Sequence, residues 1–363
     1  MSRILLGYLA REIYGATLTV LLAFLGLFAF FDFVNELNSI GKNGYETFHA
    51  LAYVGMLLPT RMYELLPVAV LIGSLYALTT LARHSEITVM RASGLSTRRM
   101  LGILCLIGIT PVVLTYVFGE YIAPPAESAA QQWRLTVTKS AITQQLRSGL
   151  WVKDGPRVIN VRVLLPDRSM RRVRVFTFNE TGALRSIDEA KLGVYVQVAE
   201  GSKGHWRLTN VTRTDFFDDH TKLSSPGEVI WDSALTPEVL SVLMVQPDRM
   251  SVTALMAYIS HLRENRQDAN RYEIALWKKL IAPLASLVMM ILALPFALIH
   301  ERSGGVSVKV FLGVMLGVAF YLLNGMFSSL GMINSWPPPI AAITPSLLFL
   351  AAAAVMLFIA ERR

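Results

Sequence analysis

The hydrophobic positions of this chain form long runs in the first third and the last quarter, with short alternating runs between them. About 20 consecutive apolar residues are enough for a helix to cross the hydrocarbon core of a bilayer. The pattern therefore predicts six transmembrane helices, the first of them retained rather than cleaved as a signal peptide. The predicted spans are Ile13–Val34, Leu65–Ala82, Met100–Ala123, Ile274–Ile299, Val306–Leu330 and Ile340–Ala360.

The apolar run that holds the second span is too long for one straight crossing. It extends over Phe48–Ala82, and Pro59 and Pro67 interrupt it, with Arg61 and Glu64 between them. Proline removes a helical hydrogen bond, and its ring clashes with the preceding turn. We therefore expect a short lead-in helix, a break, and then the span.

The segment between the third and fourth spans has the composition of a soluble protein. Pro124 and Pro125 are expected to end the third span. Short runs of alternating apolar and polar residues follow, separated by turn signals, and they predict an antiparallel sandwich or jelly roll. Ser251 is then the predicted N-cap of a helix that leads to the fourth span. The alternating runs are Val158–Val163, Arg172–Phe178, Val194–Val198 and Trp206–Val211.

Together these patterns predict a membrane α-helical fold class, with six transmembrane helices and an inserted all-β, jelly-roll-like domain between helices 3 and 4. The predicted domains are 1–124 for the first three spans, 125–265 for the β domain and 266–363 for the last three spans. Composition agrees, since 53% of the 363 residues are hydrophobic and only 17% are charged.

The net charge of +8 comes from arginines and lysines near the spans and not from one dense basic patch, which argues against nucleic-acid binding. Loops rich in Lys and Arg stay in the cytoplasm. Arg3, Arg11, the segment Arg83–Arg99 and the C-terminal arginines all fall on one side of the predicted spans. We therefore expect both termini in the cytoplasm and the β domain on the other side.

The sequence holds no motif of its own for nucleotide hydrolysis or metal chemistry. Its one Gly-Lys pair, Gly41-Lys42, is followed by Asn43 and lacks the G-x-x-x-x-G-K-[ST] pattern that cradles phosphates. The six histidines are never three or four residues apart, and the single cysteine, Cys105, has no partner. We therefore expect no catalytic, cofactor or metal site in this chain.

The basic segment Arg83–Arg99 is the most informative loop. Ile87 and Met90 can share one face of a short helix, and Gly94 is a natural stop. Such a helix would either insert its apolar face into a pocket of a cytoplasmic partner or lie on lipid headgroups. The pattern alone leaves both interpretations open.

Five short motifs stand out along the chain. They are Ser85–Gly94, Gly119–Pro124, Gly149–Gly155, Phe176–Glu180 and Gln267–Glu273. In this order they resemble the permease subunits of the bacterial lipopolysaccharide exporter, the LptF/LptG family, and the LptG branch more than the LptF branch. The resemblance covers essentially the whole chain.

This resemblance implies an inner-membrane permease subunit of an ABC transporter, with a periplasmic β domain, that extracts lipopolysaccharide and exports it toward the outer membrane. The implied partners are an LptF-like paralogue as the other half of a heterodimer and two LptB-like ATPase subunits, which bind the ATP and Mg²⁺. An LptC-like bitopic protein is the implied acceptor of the lipid.

The resemblance also implies which residues couple this chain to the ATPase. Ser85–Gly94 matches the family's cytoplasmic coupling helix, and Glu86 matches the acid that pairs with a basic residue of the ATPase. A carboxylate seated in a protein groove is partly desolvated, so such a pair can be stronger than an exposed one. The expected coupling residues are Glu86, Ile87, Met90 and Arg91.

Lipopolysaccharide carries phosphates and acyl chains, so its site should join cations to an apolar wall. Arg134 matches a family arginine just after the third span. Relatives have lysines near the outer end of the first span, where this chain has Asp32, Asn38 and Ser39. The expected substrate-binding residues are Arg134, Lys42, Arg61, Phe28 and Phe31. Arg61 could instead pair with Glu64, and the phenylalanines could simply face lipid.

Three other interpretations stay open at this point. The coupling segment would also fit the LptF-type subunit of the same exporter. A membrane scaffold whose β domain docks partners needs no lipid transport. An ion-driven secondary transporter would need carboxylates buried in the middle of its spans, where this sequence has few.

Overall fold

The computed structural model describes residues 2–41, 44–137, 149–164, 169–179, 181–196, 205–232, 246–298 and 306–362. Its helices are α1 (Ser2–Glu36), α2 (Thr47–Arg83), α3 (Glu86–Ala92), α4 (Thr97–Val117), α5 (Ala123–Val137), α6 (Val252–Glu264), α7 (Asn270–Leu298), α8 (Val306–Ile333) and α9 (Pro338–Arg362). Its strands are β1 (Leu150–Asp154), β2 (Arg157–Leu164), β3 (Met170–Phe178), β4 (Leu184–Val196), β5 (His205–Phe216) and β6 (Thr221–Asp232).

Six helical stretches in the described part of the chain are long and apolar enough to cross a membrane. The second and fourth spans, in α2 and α7, form the centre of the bundle, since 72% and 61% of their most apolar windows are buried. The first and fifth spans are only 11% and 17% buried and lie at the periphery. The predicted fold class, six spans with a β insert between the third and fourth, is confirmed.

The predicted break in the second span is wrong. α2 is one continuous helix of 37 residues, about 55 Å long, with Pro59 and Pro67 inside it. Proline is tolerated in membrane helices because neighbouring groups satisfy the freed backbone. The charged side chains of Arg61 and Glu64 find partners within the protein, so the helix need not open to hydrate them. α2 exceeds the roughly 30 Å hydrocarbon core, and its first turns pack against α5.

The two prolines after the third span do not end it. α4 passes through a wide π-helical segment, Phe118–Ile122, into α5, whose first turn contains Pro124 and Pro125. A π-turn widens the helix locally, and the chain stays helical through Pro124 and Pro125. Gly119 also lets the ring of Tyr63 approach, because a Cβ there would lie 2.6 Å from Tyr63 Cε2.

The inserted sheet is an antiparallel meander in the order β1 to β6, which is consistent with the jelly-roll-like domain predicted. The alternating runs predicted β2, β3, β5 and the end of β4. β1 and β6 were missed because β1 has only five residues and β6 is exposed along most of its length, so neither shows a clear alternating pattern.

One face of the sheet is apolar over most of its area. Its buried side chains meet across strands, as Val173 does with Ala190 and Trp206 with Trp231. Toward the β1–β2 turn this face becomes polar, since the buried Asp188 there accepts hydrogen bonds from Arg213.

α6 returns the chain from the sheet to the fourth span. Ser251 caps it as predicted, because its Oγ accepts a hydrogen bond from the N–H of Ala254 at 3.1 Å. At the far end of α6, the side-chain oxygen of Asn265 accepts a hydrogen bond from the N–H of Gly155 in the β1–β2 turn, at 2.7 Å. The apolar face of α6 is buried, and its residues are Leu255, Ile259 and Leu262.

Candidate functional site

The helix bundle has two ends with different chemistry. α3 joins the second and third spans, whereas the sheet joins the third and fourth. One span separates these two connections, so they lie at opposite ends of the bundle, here termed the α3 end and the sheet end. The residues predicted for ATPase coupling lie at the α3 end, and those predicted for substrate binding that the structure describes lie at the sheet end.

α3 is held against the bundle by its apolar side chains. Ser85 adopts a left-handed backbone conformation, φ 61°, and turns the chain from α2 into α3. Ile87 is only 3% exposed, and the half-buried Met90 packs on the same core. The interpretation that Ile87 and Met90 insert into a partner is therefore revised: these side chains anchor α3 to its own bundle.

The outward face of α3 is formed by the residues between these anchors. Val89 is 65% exposed, and Thr88 and Arg91 are exposed beside it. Glu86 is half-buried, and its Oε2 accepts a hydrogen bond from the hydroxyl of Tyr8 at 2.9 Å. The carboxylate is thus held in place by the start of α1, next to a surface that is both apolar and basic.

Arg61 at the sheet end is neutralised within the protein. Its guanidinium donates two hydrogen bonds to the carboxylate of Asp32 in α1, at 2.8 and 2.7 Å. A third bond of 2.9 Å reaches Glu64, one turn along α2. The ring of Phe28 lies beneath the guanidinium, 5.7 Å from its centre. The structure therefore brings two predicted substrate residues together, but around an internal ion pair.

Arg134 is held in a similar way. Its Nε donates to Glu36 at 2.7 Å, and the side chain of Glu36 is only 8% exposed. The guanidinium also lies over the ring of Tyr53, 5.5 Å from its centre, and reaches Ser39 at 3.4 Å. A phosphate that approached Arg134 would have to share it with a buried carboxylate.

A third arginine, Arg249, lies in the segment that follows the sheet and connects this segment to two helices. Arg249 donates to Glu127 of α5 at 2.8 Å, and it lies 3.7 Å from Glu64 of α2. Glu127, almost fully buried, also accepts hydrogen bonds from Thr60 and Gln131. We call this chain of ion pairs, together with the pair of Arg134 and Glu36, the ionic belt. Its members are Asp32, Glu36, Arg61, Glu64, Glu127, Arg134 and Arg249.

Phe31, another predicted substrate residue, does not take part in the ionic belt. Phe31 is 52% exposed on the surface of α1. Lys42 lies outside the described residues.

Sequence reasoning missed Tyr8, Glu127 and Arg249. Glu127 had one usable signal, as the single acidic residue of α5, whereas nothing local marks the other two.

A bundle of six apolar helices with an antiparallel sheet inserted at one end defines a polytopic membrane protein with an inserted β domain. Residues 7–359 match the family described as "Lipopolysaccharide export system permease LptF/LptG", and the chain belongs to this family. It is therefore an integral inner-membrane permease for lipopolysaccharide export, and the predicted family is confirmed.

Two relatives indicate the branch of the family. The "Lipopolysaccharide export system permease protein LptG" of Haemophilus influenzae is 30% identical over 344 residues, which cover 94% of this chain and 95% of the relative. The protein of the same name from Escherichia coli K12 is 30% identical over 352 residues, 94% of each chain. Both relatives are permease subunits of the LptG type, so the LptF-type and scaffold alternatives are not favoured.

Proposed function

We propose that this chain is the LptG-type half of a heterodimeric channel that extracts lipopolysaccharide from the inner membrane, and that ATP hydrolysis takes place on separate subunits. The observation that carries the proposal is the surface of α3. A short helix is anchored by Ile87 and Met90 and presents Val89 and Arg91 away from the bundle, beside the carboxylate of Glu86 that Tyr8 holds. A surface fixed to the bundle in this way transmits the movement of a bound partner to the transmembrane helices.

The proposed partners follow from the assignment of ATP hydrolysis to separate subunits. An LptF-like paralogue completes the channel, two LptB-like subunits bind ATP and Mg²⁺ and dock on the α3 ends, and an LptC-like bitopic protein receives the lipid. In this proposal Glu86 pairs with a cation of the ATPase. The basic residues near α3 and at both termini support a cytoplasmic α3 end and a periplasmic sheet.

The apolar face of the sheet supports a route for acyl chains. Trp206, Leu208 and Trp231 lie on it and are buried in this structure, so in the proposed cycle the sheet opens before these side chains contact hydrocarbon. In the proposed cycle the lipid leaves the outer leaflet at the sheet end, past Phe28, Phe31 and Arg134, and moves onto this face. The energy arrives through contacts at α3 that differ between the two states of the ATPase.

The coupling role is tested by Glu86→Ala in the chain co-expressed with an LptF-type paralogue and an LptB-type ATPase. A charge-assisted hydrogen bond contributes about 1.5–3 kcal/mol, so we expect ATPase binding to weaken roughly ten- to a hundredfold. The measurements are co-purification of the ATPase and ATP-dependent release of lipopolysaccharide from vesicles. Both should fall, while the yield of folded permease should not.

Tyr8→Phe is the matched control for this variant. It removes the hydroxyl that binds Glu86 but keeps the carboxylate available to a partner. We expect it to retain most of the ATPase. Normal ATPase binding and normal release in Glu86→Ala would reject the coupling role, and equal losses in both variants would mean that Glu86 acts only by holding α1.

A further inference from the structure

A cavity of about 360 Å³ lies within this single chain at the sheet end, between α2, α7, α8 and the segment 246–249. Apolar side chains of the bundle form part of its wall, and charged side chains of α2, α7 and the segment 246–249 form another part. Sites for small ligands commonly have 300–1,000 Å³, mostly apolar walls and a few polar groups. The apolar wall includes Val68, Ile281 and Phe320.

The polar side of the cavity contains four cations, and three of them have carboxylate partners. Arg61 and Arg249 belong to the ionic belt, and Lys278 binds Asp248 at 2.9 Å. Lys279 differs, because its ammonium donates to the backbone carbonyl of Met250 and forms no ion pair with a described carboxylate.

Lys279 is nevertheless buried, with only 7% of its surface exposed. Its other close neighbour is the ring of Tyr63, 5.8 Å from Nζ to the ring centre. The two acids in its surroundings are already engaged: Glu120 accepts from the N–H of Val252, and Asp248 binds Lys278.

A buried ammonium group needs a counter-charge to offset its lost hydration. The group has three hydrogens to donate, and the carbonyl of Met250 takes one of them. Two donors on the wall of an amphipathic cavity are therefore left for an anion. A lipid headgroup phosphate, followed by hydrocarbon, has the polarity that this cavity requires.

We propose that the cavity binds an anionic, phosphate-bearing membrane lipid. The phosphate lies against Lys279 and Lys278, and one acyl chain lies along Val68, Ile281 and Phe320. The exported lipid and a resident glycerophospholipid share this headgroup chemistry. Binding here requires neither the ATPase nor the docking of α3. A negative result for this site therefore leaves the coupling role standing, and a negative result for the coupling role leaves this site standing.

Native mass spectrometry of the purified full chain in detergent tests the proposal. The protein is incubated with dioleoyl phosphatidylglycerol, or with dioleoylglycerol, which has the same chains and no phosphate. We expect the wild type to retain the phosphatidylglycerol and not the dioleoylglycerol, and Lys279→Met to lose at least about tenfold in affinity. Lys309→Met is the matched control, since Lys309 also donates to a backbone carbonyl, that of Phe296, away from this cavity.

Gly325→Leu tests the apolar part without changing a charge. Gly325 lines the cavity, and a Cβ at this position would meet no atom within 4 Å, so the larger side chain can enter the empty space. We expect this variant to lose phosphatidylglycerol as well, which keeps the test decisive even if Lys279→Met does not fold.

Two outcomes would overturn the proposal: equal retention of the two lipids by the wild type, or retention of phosphatidylglycerol at the wild-type level by Gly325→Leu or by folded Lys279→Met. Added lipopolysaccharide then separates the two sources. Displacement of phosphatidylglycerol supports a site for the exported lipid, and failure to displace it supports a site for a resident phospholipid.

Discussion

Asp32 and Glu36, the acidic side chains near the end of α1, hold the arginines of two other helices. Asp32 binds Arg61 of α2, and Glu36 binds Arg134 of α5, each at 2.7 Å. A partly buried guanidinium without a partner is costly, so these acids account for the stable placement of both cations. At the residue scale, the charges of these two arginines are thus balanced within the protein.

Asp32→Asn measures how much the ion pair between Asp32 and Arg61 contributes to stability. The variant keeps the shape of the side chain but leaves the guanidinium of Arg61 with Glu64 as its remaining partner. We expect a loss of about 1–3 kcal/mol in the free energy of unfolding, measured by thermal unfolding in detergent. Glu189→Gln is the control, because its pair with Arg174 is about half exposed and should contribute little. Equal stability of Asp32→Asn and the wild type would contradict this account.

Local patterns predicted some residue roles and not others. Ser251 was identified as a helix cap because its partner, the N–H of Ala254, is three residues away. The pair of Arg61 with Glu64 was foreseen for the same reason. Asp32 is 29 residues from Arg61 and lies on another helix, so its role depends on how α1 packs, which no local pattern contains.

Close contacts between helices decide the architecture at the element scale. Gly73 of α2 lies against the backbone of α1, where a Cβ would come within 2.5 Å of Thr17. Small residues allow this approach between membrane helices. The first span is otherwise the least buried of the six, so this contact positions it on the bundle.

Gly73→Ala should therefore push α1 away from α2. The clash involves backbone atoms of Thr17, which a rotamer change cannot relieve, and overpacking of this kind costs about 1–3 kcal/mol. Gly55→Ala on the same helix is the control, since a Cβ there meets nothing within 4 Å. Thermal unfolding should separate the two variants. Equal unfolding temperatures would show that α1 is not held by this contact.

The prolines show where element prediction failed. Pro59, Pro67, Pro124 and Pro125 were all expected to interrupt helices, as they do in water-soluble proteins. In this structure the charges of α2 are satisfied by other helices, and a π-turn at Phe118–Ile122 precedes the second pair of prolines. These compensations are tertiary or extend over several turns, so the proline pattern alone cannot reveal them.

At the scale of the whole molecule, the third span separates the α3 end from the sheet end, and a different function is proposed for each. α3 and the anchored carboxylate of Glu86 lie at one end, and the ionic belt and the sheet lie at the other. Six spans and a β insert could be predicted because hydrophobic periodicity sets them directly. The ionic belt could not, since it joins α1, α2, α5 and the segment after the sheet.

The central claim of this account is that the α3 end faces the cytoplasm and the sheet faces the periplasm. Labelling of single cysteines with a membrane-impermeant maleimide tests it most directly, in a chain whose own Cys105 is replaced by Ser. Arg91→Cys reports on exposed α3, and Asp219→Cys reports on the exposed turn between β5 and β6. In spheroplasts, which lack an outer membrane, we expect only Asp219→Cys to react, with Arg91→Cys reacting after the inner membrane is opened. Equal labelling of both positions in sealed spheroplasts would contradict the account.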